Sequence, residues 1–160
     1  YPVDDLVAIL SRAAGLLRMQ GVPAQTLRSL AERSRGTPRV ALRLLRRVRD
    51  YSAVRGGGRL DAKVVDDALA LEGVDALGLD ELDRRYLRAL ATTYGGGPAG
   101  LEAIAASIGE DALTLEDVVE PYLLQVGFLA RTRQGRRMTP AAFRHLGIDP
   151  PARADELFDA

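Results

Sequence analysis

The chain has 160 residues, 47% apolar and 28% charged, a balance that suits folded domains and excludes a disordered polymer. Its 22 basic and 22 acidic residues cancel, and no apolar run nears the ~20 residues a spanning helix requires, so no membrane partner is expected. Cysteine is absent, which excludes disulfides, zinc–thiolate centres and thiol nucleophiles and fits a cytoplasmic protein.

From Asp4 to Met19, residues Leu6, Ile9, Leu10, Ala13, Leu16 and Leu17 recur at helical spacing, with Gly21 placed to close the end. Ala24 to Ser34 reads as a shorter amphipathic helix on Leu27, Leu30 and Ala31, stopped by Gly36. Thr37 offers an N-cap hydroxyl, and Pro38 suits the first helical position, where an N–H is not needed. The third helix runs to about Ala53 with Val40, Ala41, Leu44, Leu45 and Val48 inward, until Gly56-Gly57-Gly58 breaks it. Asp61 caps a fourth helix through about Leu71. These four helices make a small bundle over residues 1–73, followed by a linker at 74–79.

Asp80 caps the next helix, which reaches about Tyr94 and ends at Gly95-Gly96-Gly97-Pro98. Leu101 to Ile108 is a short helix, and Thr114 with Asp117 resembles a capping box opening another that ends before Gly127. Phe128 to Thr132 and Arg136 to Thr139 read as strands joined by a turn at Gly135. Thr139-Pro140 starts a last helix ending near Gly147. Three helices, a hairpin and a closing helix describe a winged-helix domain over 80–149, with a flexible tail at 150–160. The expected fold class is mainly α. Tyr1-Pro2 opens the chain without methionine, so a piece of a longer protein is expected.

Charge is unevenly spread. Ten arginines lie between Arg28 and Arg59 against Glu32 and Asp50, and acids then dominate from Asp61 to Asp83. Such asymmetry points to anionic partners more directly than the overall balance does. Arg39 occupies the second position of the third helix, where free N–H groups and a partial positive charge already favour an anion. A nucleotide phosphate would compensate the added guanidinium; a nearby carboxylate would do the same for an ordinary surface arginine. The run Arg43, Arg46, Arg47 and Arg49 suits a solvated, an intersubunit or a phosphate-facing surface, and one of the first two is expected for most of these positions.

The helix opening at Thr114 would be the recognition helix, but it carries Glu116, Asp117 and Glu120 and no base. A phosphate-lined groove should repel it. The hairpin, by contrast, carries Arg131, Arg133, Arg136 and Arg137, so DNA contact is expected through the wing and to backbone rather than bases. Basic residues on a hairpin also protect a sheet edge from mispairing, which leaves that reading open. His145 has no partner triad and reads as structural. Gly95–Gly97 lacks a following Lys-Ser/Thr, no phosphate-cradling loop of that type occurs elsewhere, and no catalytic residue is assigned.

RSRGTPR (33–39) followed by RLLRRVRD (43–50) resembles the nucleotide-sensing region of the RuvB family of Holliday junction branch-migration helicases. YGGGPAGLEAIAASIGE (94–110), EPYLLQVGFLARTRQGR (120–136) and FRHLG (143–147) are similar to the head of the same family, in the same order. The resemblance implies an AAA+ lid followed by a winged-helix head, from an ATPase that uses ATP and Mg. It implies that Arg39 contacts ATP phosphate from the lid, that Tyr1 sits at the nucleotide pocket, and that Arg131 and Arg136 are DNA-contacting wing arginines. It further implies a homohexamer acting on duplex arms of Holliday junctions with the RuvA tetramer and the RuvC resolvase. One departure stands out: where some members carry a base before the recognition helix, this chain has Ala112. Two alternatives compete, a winged-helix regulator with a helical dimerisation domain and the lid or collar of another AAA+ machine.

Overall fold

The computed structural model describes residues 1–151; the expected tail lies outside the described residues from 152 onward. The chain divides into two compact units, one covering Tyr1–Asp80 and one beginning at Glu81. Among the described residues, no helix is long and apolar enough to cross a membrane. The fold is mainly α with one two-stranded antiparallel hairpin, as expected.

The first unit is a bundle of α1 (Val3–Leu16), α2 (Ala24–Glu32), α3 (Pro38–Val54) and α4 (Ala62–Leu71). Asp4 and Asp5 in the first turn of α1 complement the positive end of the helix. That helix ends three residues before the expected Met19. Arg18 adopts φ 57°, and Met19 N–H reaches back to the Ala14 carbonyl at 2.9 Å, so the chain turns without waiting for Gly21. Leu16, expected inside, is the last residue of α1 and is 80% exposed.

Asp61 caps α4 as expected, its Oδ1 accepting from Val64 N–H at 3.0 Å. Thr37 does not do the same for α3. Its backbone is extended as an N-cap requires, but the hydroxyl donates to the Arg35 carbonyl at 3.4 Å and caps no helix N–H. Leu6, Leu10, Leu30, Leu44, Leu45, Val48 and Leu69 form the fully buried core. Truncating a leucine in such a core costs about 2–5 kcal/mol.

The second unit begins with α5 (Glu81–Thr92) and α6 (Leu101–Ile108). A third helical stretch follows in three parts: α7 (Ala112–Thr114), a π-helical segment (Leu115–Val119) and α8 (Glu120–Gln125). Its cap is Asp111, which accepts from Thr114 N–H at 3.2 Å; the expected cap, Thr114, stands inside the first turn. Pro121 supplies no N–H to the carbonyl one turn back, and the helix widens into the π segment just before it.

Strands β1 (Leu129–Thr132) and β2 (Gly135–Met138) pair antiparallel, Leu129 opposite Met138 and Arg131 opposite Arg136. β1 starts one residue later than expected and β2 lies one residue earlier, within ordinary fraying of element ends. Helix α9 (Pro140–Leu146) closes the unit. Tyr86, Leu87, Leu90, Ile104, Leu115, Leu123, Ala142 and Phe143 are its core.

The Gly95–Gly97 run does more than end α5. Ala99 and Arg136 exchange both backbone hydrogen bonds, at 3.0 and 2.7 Å, and Met138 N–H donates to the Gly96 carbonyl at 2.8 Å. Gly97 lies at φ +98°, with its Cα against the Arg136 carbonyl, where a Cβ would overlap the oxygen. The run is therefore the seat on which the hairpin rests.

Candidate nucleic-acid interface and phosphate sensor

Much of the uneven charge in the first unit is satisfied internally. Arg33 pairs with Asp66 at 2.6 Å, Arg47 with Glu72 at 3.5 Å and Arg35 with Asp80 at 3.7 Å. The basic run in α2 and α3 is thus partly the counterpart of the acidic run in and after α4. Arg49 turns to its neighbour Asp50 at 3.1 Å.

Within α3, the arginines that remain are Arg39, Arg43 and Arg46. Their spacing puts them on one exposed face of α3, opposite buried Ala41, Leu44, Leu45 and Val48. Among the described residues none of the three has an ion pair. Arg39 sits in the first turn of α3, after Pro38, where no side chain caps the helix. The local dipole disfavours a cation there by a few tenths to about 1 kcal/mol, and no carboxylate offsets it. Tyr1 flanks the same loop: its backbone N donates to the Gly36 carbonyl at 3.4 Å, and the residue is 71% exposed. The structure therefore brings Tyr1 and the start of α3 together.

In the second unit, strand alternation separates the four wing arginines. Leu129 and Met138 are buried, and Arg131 and Arg136, two residues from each, share their face of the hairpin. Arg137 lies on the opposite face, and Arg133 is exposed in the turn. Arg131 and Arg136 converge on Glu120, which is fully buried at the start of α8. Arg136 donates from Nε at 2.9 Å and from Nη2 at 3.2 Å, and Arg131 donates from Nη2 at 3.2 Å. The Tyr86 hydroxyl adds a bond at 2.6 Å. Among the described residues Arg133 and Arg137 have no carboxylate partner.

The electrostatics follow from this packing. Burial by itself would raise the Glu120 carboxyl, but hydrogen bonds from Arg136, Tyr86 and Arg131, with the Arg136 charge, hold it below its ordinary value. Burial and the bond to Glu120 push the Tyr86 phenol far up, so it remains a donor. The bond to Glu120 likewise raises Arg136. Glu120 was missed as a partner because it was counted with the acidic outer face of the helix. Glu116 and Asp117 do lie on that face, beside exposed Leu113 and Val118; Glu120 points inward. One signal was available: Arg131 and Arg136 have the same strand parity as the apolar residues. His145 packs its ring on Phe128, centroids 5.2 Å apart.

Two families match the chain: the RuvB AAA lid domain over residues 1–75 and the RuvB C-terminal winged helix domain over 76–147. The Holliday junction branch migration complex subunit RuvB of Prochlorococcus marinus (strain MIT 9303) is 60% identical over 148 residues, 92% of this chain and 42% of that protein. The corresponding subunit of Paracoccus denitrificans (strain Pd 1222) is 48% identical over 159 residues, 99% of this chain and 46% of that protein. Among solved structures, the Thermotoga maritima RuvB Holliday junction branch migration motor superposes with a TM-score of 0.88 at 45% identity, over 94% of this chain and 50% of that one. The chain spans less than half the length of these curated relatives.

Proposed function

Because the chain belongs to the RuvB family over both of its domains, we propose that it is the lid and DNA-contacting head of an ATP-dependent Holliday junction branch-migration motor. The observation that carries this reading is the residue of positive charge left after internal pairing. Among the described residues, Arg39 at the start of α3 and Arg133 and Arg137 on the wing have no carboxylate partner, while Arg33, Arg35, Arg47, Arg131 and Arg136 do. An anion is the missing counterpart in each domain.

In the lid, Arg39 contacts a phosphate of ATP, and Tyr1, beside the loop into α3, lines the same pocket. When bound, the nucleotide supplies the free energy of the motor. Arg39 provides a charge contact that exists only with the phosphate in place, so occupancy biases the lid between orientations. Among the described residues no group of three or more His, Asp or Glu side chains could hold a metal ion. In the head, the wing grips the duplex backbone through Arg131 and Arg136, with Arg133 and Arg137 beside them. Exposed Glu116 and Asp117 keep the recognition helix off the phosphates. The assembly is a homohexamer acting on the duplex arms of a junction held by the RuvA tetramer, with the RuvC resolvase acting on the same junction.

Duplex binding by this chain tests the head. Affinity should be weak and independent of sequence, with log K falling against log salt at a slope of roughly −2 to −4 for two to four phosphate contacts. Sequence-selective footprints would instead support the regulator. For the lid, Arg39→Ala in the ATPase-containing protein should abolish nucleotide-driven branch migration; unchanged ATP turnover and migration would overturn the sensor role.

A further inference from the structure

Glu120 holds the two wing arginines from the inside and leaves part of each guanidinium open. Arg136 gives it Nε–H at 2.9 Å and Nη2–H at 3.2 Å, two donors on the same edge of the fork. The adjoining edge, formed by Nη1 and the other Nη2–H, stays available. Arg131 gives a single Nη2–H at 3.2 Å. The carboxylate is fully buried, whereas the Arg136 and Arg131 side chains are 20% and 44% exposed, so each arginine reaches from an interior anion to the surface. The Tyr86 hydroxyl, on α5, fixes the same carboxylate from the core at 2.6 Å. Arg131 and Arg136 are directly opposite across the hairpin, where like charges repel. One carboxylate between two guanidiniums offsets that repulsion and leaves the cluster with a net positive charge.

We propose that Glu120 is a positioning residue that presents Arg131 and Arg136 to the duplex, fixing both guanidiniums before the phosphates arrive. The proposal deepens the reading of the wing as the duplex grip and rests on it. A mobile arginine loses side-chain freedom when it takes a phosphate, and that loss weakens binding. Here the freedom is already given up when the head folds. A planar fork held along one edge offers its second edge in a fixed direction, which suits the paired oxygens of a phosphodiester.

The test is duplex binding by this chain across 50 to 200 mM salt, with folding checked by circular dichroism. Affinities are compared after extrapolation to 1 M salt, where counterion release drops out of log K, so that ordering of the side chains is read apart from the charge lost with the carboxylate. Glu120→Gln should lower the extrapolated affinity roughly 2- to 12-fold for each arginine set loose. In an Arg131→Gln/Arg136→Gln background the same substitution should change it by no more than about 2-fold, because nothing is left to position. A merely structural glutamate would lose affinity equally in both backgrounds, and that result overturns the proposal. So does a folded Glu120→Gln that matches or exceeds the parent. An Arg131→Gln/Arg136→Gln protein that binds duplex as well as the parent removes the grip reading itself, and this proposal with it. Should any of these variants unfold, the unsubstituted chain decides: on adding duplex, the Glu120 carboxylate carbon resonance should stay in place while the Arg131 and Arg136 ζ-carbon resonances move. A glutamate carbon that moves with them shows phosphate displacing the carboxylate and refutes the positioning role. Arginine carbons that stay still refute the grip.

Discussion

Tyr86→Phe removes one oxygen from the centre of the head and leaves the ring, which is fully buried, in place. That oxygen donates to Glu120 at 2.6 Å, and burial with the bond to Glu120 keeps the phenol protonated. A hydrogen bond to a charged group contributes about 1.5–3 kcal/mol. Glu120 keeps Arg131 and Arg136 after the substitution, so the carboxylate is not orphaned, and the lower part of that range, about 1.5–2 kcal/mol, is expected. In a domain of this size each kcal/mol moves the melting temperature by about 4–8 °C, giving a drop of roughly 6–16 °C.

Urea and thermal unfolding at neutral pH measure the loss, and amide exchange over Leu129–Met138 assigns it to the head. The loss should also depend on pH. As Glu120 is protonated its acceptor becomes neutral, and the difference between the two proteins should shrink to about 0.5–1.5 kcal/mol. A loss below about 0.5 kcal/mol at neutral pH, or one equally large once Glu120 is protonated, would refute the reasoning.

Three further outcomes follow from the geometry. Gly97→Ala places a Cβ against the Arg136 carbonyl at φ +98°, and should cost at least about 2 kcal/mol and speed amide exchange at Arg136 and Met138; a melt indistinguishable from the parent would contradict the seat. Asp111→Ala should lose about 1 kcal/mol, within 0.5–2, from the cap on Thr114 N–H, and more than Thr114→Val loses; the reverse order in urea titrations would restore Thr114 as the cap. Acid should destabilise the head through Glu120. Its folded value is depressed, so its contribution is fully present above its ordinary 4.5 and is lost as pH falls through the lower folded value. Glu120→Gln should abolish that part of the acid response, and an unchanged acid midpoint would count against it.

The charge pattern was legible only as far as its density. Ten arginines between Arg28 and Arg59 suggest anionic partners, yet Arg33, Arg35 and Arg47 are matched within the same unit by Asp66, Asp80 and Glu72. No local rule links a cation on one helix to an acid 25 or more residues away. The Thr37 and Thr114 caps failed for a related reason. A cap is chosen by backbone geometry and competing acceptors: the Arg35 carbonyl takes the Thr37 hydroxyl, and Asp111 starts the helix three residues before Thr114.

Apolar spacing of three and four, the Asp61 cap, the strand pair and the proline and glycine punctuation were enough to specify two helical domains and a winged hairpin, because these are properties of neighbouring residues. Which way Glu120 faces, which two of four wing arginines it holds, and why Gly97 must lack a side chain were decided by the tertiary structure alone. Each depends on where a segment 11 to 39 residues distant comes to rest, on Arg131 or Arg136 for the glutamate and on Arg136 for the glycine. Burial then converts that placement into selective charge pairing, since an interior carboxylate must find its donors wherever the fold supplies them.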